Sequence, residues 1–231
     1  MIYAIADLHL DATKDKDMNI FGPNWDDYEN RIFSNWKKIV RDEDLVLIPG
    51  DISWAMKVEN AVSDLKRIEK LPGRKILLKG NHDYWWSSLN KLNSLGFKTI
   101  QFLQNNSFVY KGIRIVGTRG WISRDTNNFN ENDEKILNRE IERLKLSINH
   151  KPEEDFFKTI AMMHYPPFNR DMKPNEFEKL FKQYGINIVL YGHIHGPAAF
   201  TMPEGEINGI RYYCLSADKL NFIPKEIECG V

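Results

Sequence analysis

The segment ILLKGNHD, residues 76–83, decides the fold, because it joins a short apolar run directly to a glycine and three polar residues. A short apolar run that stops at a turn signal is typical of a buried strand. The same arrangement occurs four more times, with apolar runs at residues 2–6, 45–49, 159–163 and 186–191 that stop at Asp7, Gly50-Asp51, His164 and Gly192-His193. Each run predicts a buried strand that is followed at once by polar side chains.

Helical patterns lie between several of these predicted strands, at residues 28–41, 58–71 and 131–149. Strands that alternate with helices indicate a largely parallel or mixed sheet covered by helices. Residues 108–116 differ, since Lys111-Gly112 separates two apolar runs as in a hairpin. Residues 209–223 also predict strands. The sequence therefore predicts an α/β fold of two mixed β-sheets packed face to face, with helices outside.

Length and composition restrict the function classes. The chain has 231 residues, 42% of them hydrophobic and 28% charged, which predicts one globular domain over residues 1–231. Lys plus Arg and Asp plus Glu number 32 each, so net charge gives no support for binding nucleic acid or an anionic membrane. We expect neither a signal peptide nor a membrane span. Two cysteines do not make a disulfide framework, so a cytoplasmic location is expected.

The polar residues after the predicted strands are of types that bind metals. Five of the six histidines fall in these blocks, and His150 is the exception. Catalytic groups in open α/β sheets collect beyond the carboxyl ends of strands. Any one Asp-x-His or His-x-His pair would more often be structural, so the evidence lies in their ordered combination.

In this order the blocks resemble the motifs of the calcineurin-like metallophosphoesterase superfamily: Asp7-x-His9, Gly50-Asp51, Gly80-Asn81-His82-Asp83, His164 and Gly192-His193-x-His195. The resemblance implies a four-layer sandwich with a dinuclear metal centre. It assigns one metal to Asp7, His9 and His195, the other to Asn81, His164 and His193, and a bridging position to Asp51. It also implies that His82 protonates the leaving oxygen or stabilises the transition state, and that Asp83 orients the ring of His82. Asp83 has an alternative interpretation, as the cap of a helix that begins at Tyr84.

The chemistry of these side chains agrees with that assignment. Two dications at about 3.5–4 Å repel one another, and Asp7 and Asp51 supply the negative charge that holds them. Imidazole and amide ligands favour Mn, Fe, Zn, Co or Ni over Mg or Ca. A water held by such ions has its pKa lowered from 15.7 to about 7, which makes hydroxide the expected nucleophile.

The predicted function is hydrolysis of a phosphomonoester or phosphodiester bond, on a small molecule or a nucleotide. A nuclease and a non-catalytic metal-binding scaffold are the alternatives, and the oligomeric state is left open. Five aromatic residues near the motifs either stack on a flat substrate or pack the loops: Trp54, Tyr84, Trp85, Trp86 and Tyr165. Three arginines either contact phosphate or lie on the surface: Arg119, Arg124 and Arg170. The carboxylates of Asp11, Asp15 and Asp17 indicate a solvated loop more than a further metal site.

Overall fold

The computed structural model describes residues 1–13, 16 and 18–229, so the predicted loop residues Asp15 and Asp17 lie outside the described residues. Within that part the strands are, in chain order, β1 (Ile2–Ala4), β2 (Leu45–Pro49), β3 (Arg74–Leu78), β4 (Ile100–Leu103), β5 (Phe108–Tyr110), β6 (Ile113–Thr118), β7 (Lys158–Met163), β8 (Ile188–Tyr191), β9 (Gly205–Ile207), β10 (Ile210–Cys214) and β11 (Lys225–Glu226). The helices are α1 (Tyr28–Ile39), α2 (Val58–Glu69), α3 (Leu89–Asn93), α4 (Glu131–Asn149) and α5 (Phe177–Gln183).

The strands form two mixed sheets. The first has the order β11-β1-β2-β3-β4, in which β1 to β4 are parallel and β11 is antiparallel to β1. The second has the order β5-β6-β7-β8-β10-β9, in which the four central strands are parallel and both edge strands are antiparallel. The predicted fold class, an α/β sandwich of two mixed β-sheets flanked by helices, is confirmed.

Side chains alternate along the strands and so build separate apolar layers. In β2, Leu45 and Leu47 join the cluster between the two sheets, whereas Val46 and Ile48 join a cluster that contains Leu65 of α2. A third cluster packs the second sheet against α4 and α5, with members that include Val116, Leu137, Ala161, Leu144 and Phe181. Full burial of each such aliphatic side chain stabilises the fold by about 1.5–3 kcal/mol.

The chain crosses between the two sheets immediately after β1. The backbone N–H of Ile5 donates to the carbonyl of Leu47 in the first sheet, and that of Ala6 donates to Leu215 beyond the end of β10. The N–H of Asp7 then returns to Gly50 of the first sheet. Asp7 is therefore held where the two sheets meet.

The prediction of strands over residues 209–223 is correct for only part of the segment. Only Ile210–Cys214 is a strand, and turns follow it. Asn221 and Phe222 have φ of 51° and 61°, which no extended strand allows. The apolar side chain of Phe222 is nevertheless buried, because it packs edge-on against Trp25. Phe222 is thus a core residue in a turn, and it is not part of a strand.

The described helices include none that is both long enough and apolar enough to cross a membrane.

Candidate metal centre

The predicted ligands lie together at one edge of the two sheets. Asp7 and His9 follow β1, Asp51 follows β2, Asn81 follows β3, His164 follows β7, and His193 and His195 follow β8. Because these strands are parallel within each sheet, their carboxyl ends meet at this edge. The structure brings the ligand atoms of six of these residues into two groups, and it places Asn81 against the second group.

The first group consists of Asp7, His9 and His195, whose ligand atoms all lie within 4.8 Å of one another. Nε2 of His9 is 3.2 Å from Nε2 of His195. Asp7 and His9 are fully or almost fully buried. These are the three residues that the family resemblance assigned to one metal.

The second group consists of Asp51, His164 and His193, again within 4.8 Å. Nδ1 of His193 lies 3.2 Å from Nε2 of His164. Oδ1 of Asn81 lies 2.6 Å from the same nitrogen. The residues predicted for the other metal are thus next to one another, and the carboxylate of Asp51 lies beside them.

Asp51 lies between the two groups. Its Oδ2 is 3.8 Å from Nε2 of His9 and 3.5 Å from Nε2 of His164. Its other oxygen, Oδ1, accepts a hydrogen bond of 2.8 Å from the backbone N–H of His82. The loop hydrogen bond fixes the carboxylate so that a single oxygen faces both groups.

Four of the ligand residues have left-handed backbone conformations. The φ angles are 61° for Asp7, 45° for His9, 51° for Asp51 and 77° for His193. Residues other than glycine rarely adopt these angles, and those that do cluster at functional sites.

Two glycines permit the close approach of backbone to ligand. A Cβ on Gly80 would collide with the carboxylate of Asp51, and a Cβ on Gly192 would lie 2.7 Å from Oδ2 of Asp7. Any side chain at these positions would displace a ligand.

Hydrogen bonds fix the tautomers of two imidazoles. Nδ1 of His164 lies 3.0 Å from the carbonyl oxygen of Pro49, and because a carbonyl only accepts, the nitrogen donates. Nδ1 of His195 lies 3.2 Å from Oδ1 of Asp218, a carboxylate that lies beyond all the predicted motifs. Both contacts leave Nε2 with a free lone pair that points into its group, as metal-binding histidines require.

The donor set fits divalent cations. With Nδ1 of His164 protonated, its Nε2 is an acceptor that faces a second acceptor, Oδ1 of Asn81, at 2.6 Å. Two acceptors at this distance repel one another unless a cation binds both. In the first group a lone pair of His195 faces Nε2 of His9 at 3.2 Å, while Nδ1 of His9 is buried without a hydrogen-bond partner among the described residues.

Burial favours the neutral form of each of these groups. A bound cation would lower the raised pKa of Asp7 and would keep the imidazoles neutral. Burial raises the pKa of Asp7 to about 7, and the nearby carboxylate of Asp51 adds to the effect against the influence of His195. Burial lowers the pKa of His164 to about 3 and that of His193 to about 2. Buried acids with raised pKa beside imidazoles with lowered pKa are a signature of functional sites.

His82 lies beside the first group without joining it. Its ring centroid is 5.8 Å from that of His9 and 4.5 Å from that of Trp54. Asp83 is fully buried and accepts hydrogen bonds from the N–H groups of Ile52 and Gly80, among others. No hydrogen bond or ion pair joins Asp83 to His82 in the part of the chain that the structure describes.

The alternative interpretation of Asp83 as a helix cap is wrong. The residues after it form turns, and the next helix, α3, begins only at Leu89 with Ser88 as its cap. The Asp83 carboxylate instead accepts hydrogen bonds from the indole N–H of Trp85 and from three backbone N–H groups. Burial raises the pKa of Asp83 to about 7, and the charge of Asp51 raises it further.

The aromatic residues near the motifs divide by position. Trp54 stacks on His9, with ring centroids 4.8 Å apart, and Tyr165 packs on His193 at 4.2 Å. Trp85 is buried, Trp86 donates to Gln104, and Tyr84 is 58% exposed. Trp54 and Tyr165 therefore support the imidazoles.

The three arginines also divide. Arg119 is mostly buried and pairs with Glu140, and its carbonyl accepts the N–H of His164. Arg124 pairs with Glu134 and Glu176 on the surface. Arg170 is exposed and bonds Asn127. Only Arg119 adjoins the centre by a described contact.

Asp11 takes part in loop structure, since its carboxylate accepts the backbone N–H groups of Thr13 and Lys16.

Comparison with known proteins identifies relatives. An uncharacterised protein of Methanocaldococcus jannaschii is 27% identical over 156 residues, which cover 65% of this chain and 85% of that protein. An uncharacterised metallophosphoesterase of Helicobacter pylori is 25% identical over 162 residues, which cover 69% of this chain and only 38% of that protein.

Solved structures resemble the fold. The phosphopantetheinyl hydrolase of Mycobacterium tuberculosis has a TM-score of 0.56 at 13% identity, with 94% of this chain and 90% of that chain covered. A protein of Thermus thermophilus has a TM-score of 0.55 at 10% identity, with 91% and 86% covered. At these identities the likeness concerns the fold alone.

A protein-family model described as calcineurin-like phosphoesterase matches residues 1–197, a range that contains every predicted ligand from Asp7 to His195. The chain therefore belongs to the calcineurin-like phosphoesterase family.

Proposed function

We propose that the chain is a phosphoesterase with a dinuclear centre of transition-metal ions, acting on a phosphomonoester or phosphodiester of a small molecule or nucleotide. The observation that carries this proposal is the position of Asp51, whose Oδ2 lies 3.8 Å from a nitrogen of one ligand group and 3.5 Å from a nitrogen of the other. Two such ions, when bound, supply an acidic water and neutralise charge on phosphoryl oxygens.

His82 has the position of a proton donor in this proposal. Its half-buried ring lies beside the first ligand group and packs against Trp54, so it can reach a substrate held there. His82 gives a proton to the oxygen that leaves phosphorus, and it recovers one from solvent before the next turnover.

Asp83 is a positioning residue. Its carboxylate binds N–H groups of the loop after β2 and of the loop after β3, which carry Asp51 and Asn81 respectively. It orients His82 through these loops, the role that the family pattern implied for it.

The test is hydrolysis together with metal content. Protein stripped with a chelator and reconstituted with Mn should hold about two ions per chain and regain hydrolysis of p-nitrophenyl phosphate or bis(p-nitrophenyl) phosphate. Arg124→Gln, in a surface ion-pair network, is the control that should behave as the unsubstituted chain. Fewer than about one ion per chain, with no effect of the chelator, would contradict the dinuclear proposal. Two ions without hydrolysis of these esters, single-stranded DNA or phosphorylated metabolites would favour the scaffold.

A further inference from the structure

A cavity of about 330 Å³ lies beside the metal centre, at the carboxyl ends of β3, β4 and β6. Two backbone segments connect it to the ligands. Lys79 in its wall comes two residues before Asn81, and Arg119 in its wall accepts the N–H of His164 with its carbonyl, at 3.1 Å. The cavity and the metal centre thus share one edge of the sandwich.

The cavity wall carries an excess of positive charge. Three cations line it, Lys79, Arg119 and Arg143, against one carboxylate, that of Glu140. Nη1 of Arg143 lies 2.8 Å from Oε1 of Glu140, and Nη2 of Arg119 lies 3.5 Å from the same oxygen. One carboxylate for three cations leaves an excess of two positive charges.

Glu140 pairs with two of the three cations, Arg143 and Arg119. Its other oxygen, Oε2, accepts a hydrogen bond of 2.6 Å from the hydroxyl of Thr118. The side chain of Glu140 is almost fully buried, so its position is fixed. Within the described residues Glu140 forms no ion pair with the third cation, Lys79.

Two donors in the wall are left without partners. Lys79 forms no ion pair or side-chain hydrogen bond within the described residues. Nε of Arg119 is buried and has no hydrogen-bond partner among them. Burial and then the charge of Arg119 lower the pKa of Lys79, which is the direction expected of a cation without a counter-ion. An anion in the cavity would give the ammonium group of Lys79 the counter-ion that it lacks.

Part of the cavity wall is apolar. Leu78, Leu103 and the ring of Trp86 contribute to it, and Trp86 is held by a hydrogen bond of 2.6 Å to Gln104. These side chains suit the carbon portion of a substrate.

Resting on the proposed function, we propose that this cavity binds a second phosphoryl group of the substrate, separate from the ester that is cleaved at the metal centre. The substrate class is therefore a phosphate ester that carries another phosphate on a carbon framework. A phosphate dianion matches the excess of two positive charges, and guanidinium groups bind phosphate oxygens well.

Binding of non-hydrolysable probes tests this inference without hydrolysis. Calorimetry on the Mn-loaded protein should compare alkane-α,ω-bisphosphonates, from ethane to hexane, with alkyl monophosphonates of the same lengths. At least one bisphosphonate should bind about tenfold more tightly than its monophosphonate, as expected for new hydrogen bonds to charged groups. The series of lengths covers the span between the two sites.

Variants show which side chains are responsible. In Lys79→Gln/Arg143→Gln the bisphosphonate preference should fall to about twofold or less. Lys145→Gln, on the exposed face of α4, and Arg124→Gln should keep the full preference. A preference that persists unchanged in the double variant overturns the inference. So does its absence at every length in the unsubstituted protein, a comparison that needs no variant to fold.

The outcomes remain distinct from those of the proposed function. Hydrolysis of p-nitrophenyl phosphate without a bisphosphonate preference would overturn the second phosphate site and leave the phosphoesterase proposal standing. A preference without any hydrolysis would support the anion site and contradict the enzyme.

Discussion

The two ligand groups on either side of Asp51 are built from different charges. The first contains the carboxylate of Asp7, and a second carboxylate, Asp218, lies behind His195. The second contains the neutral amide of Asn81, and Nδ1 of His164 bonds the carbonyl of Pro49, with Oδ1 of Asp7 at 3.8 Å from the same nitrogen. Coulomb attraction in a buried site is strong, so we expect the first group to hold its ion more tightly.

Protons compete differently for the two groups. Burial lowers the pKa of His164 and His193 to about 3 and about 2, so their nitrogens are free at neutral pH. Burial alone would lower the pKa of His195, but the carboxylates of Asp7 and Asp218 outweigh it and raise that pKa. Protons therefore compete with an ion more strongly in the first group than in the second, so the advantage of the first group should shrink in mild acid.

Asp51→Asn should have the largest effect, since it removes charge that both groups share. We expect loss of both ions and a fall in hydrolysis of about 10³-fold or more, the equivalent of several kcal/mol of transition-state stabilisation. Asp7→Asn should mainly lose the first ion. Elemental analysis and p-nitrophenyl phosphate hydrolysis measure both. An Asp51→Asn protein that keeps most of its activity, when Asp7→Asn does not, would show that Asp51 does not bridge.

His82→Ala should leave both groups intact and slow the reaction by about 10²–10⁴-fold, the usual contribution of a general acid. The loss should be greater on alkyl phosphates, whose basic alkoxide needs a proton, than on p-nitrophenyl phosphate, whose phenolate scarcely does. Rates on both esters and the ion content decide the matter. Equal losses on the two esters, or a fall in bound metal, would contradict the proton-donor role.

Asp218→Asn should weaken the first ion alone, by about 10–100-fold in affinity, because the carboxylate orients His195 from outside the ligand group. Titration of the stripped protein with Mn should then show one weakened site and one unchanged site. Asp44→Asn is the matched control, a buried carboxylate at the opposite end of β2 that binds the amino terminus. Equal weakening of both sites would mean that the two groups do not differ as described.

The smallest effect should appear in the melting temperature of the metal-free protein, measured as a function of pH. In the folded chain burial raises the pKa of Asp7 and Asp83 to about 7, above the usual 3.8, so the folded state takes up protons that the unfolded state does not. Lowering the pH through about 7 should therefore raise Tm by about 2–4 °C.

Below about pH 6.5 three imidazoles reverse that trend. His9, His164 and His193 resist protonation when folded, so the unfolded chain binds three protons there against the two that Asp7 and Asp83 take up in the folded chain, and stability is lost. Thermal unfolding of chelated protein should show a maximum between these limits. Asp7→Asn should flatten the curve of Tm against pH on the alkaline side of this maximum. Mn-loaded protein should lose stability throughout as the pH falls, because the ligands must be deprotonated to bind metal. A chelated protein without a maximum would contradict these assignments.

Much of the centre could be predicted because its ligands are side chains at strand ends, where the motifs Asp7-x-His9 and His193-x-His195 mark them. Asp218 could not be predicted, since it does not belong to a motif of the Asp-x-His or His-x-His kind. The signal that could have found it is its place shortly after β10, which is parallel to β8. The carbonyl of Pro49 belongs to the backbone, which no side-chain pattern reveals.

The fold could be predicted where strands are buried on both faces, as at Leu45–Pro49. The prediction of strands was wrong where apolar residues are buried without an extended backbone, as at Phe222. The role of Asp83 also depends on distant N–H groups such as those of Ile52 and Ser53, a contact between loops that sequence separation hides.

The left-handed backbone conformation of four predicted ligands has an evolutionary consequence. Each of Asp7, His9, Asp51 and His193 keeps a backbone angle that costs roughly 1 kcal/mol or more for a residue with a Cβ. Glycine at any of these positions would relieve the strain and also remove a buried polar group. The relieved strain would offset part of the cost of the cavity that a lost side chain leaves, so a descendant released from selection would lose these residues at a lower cost in stability than other buried ones.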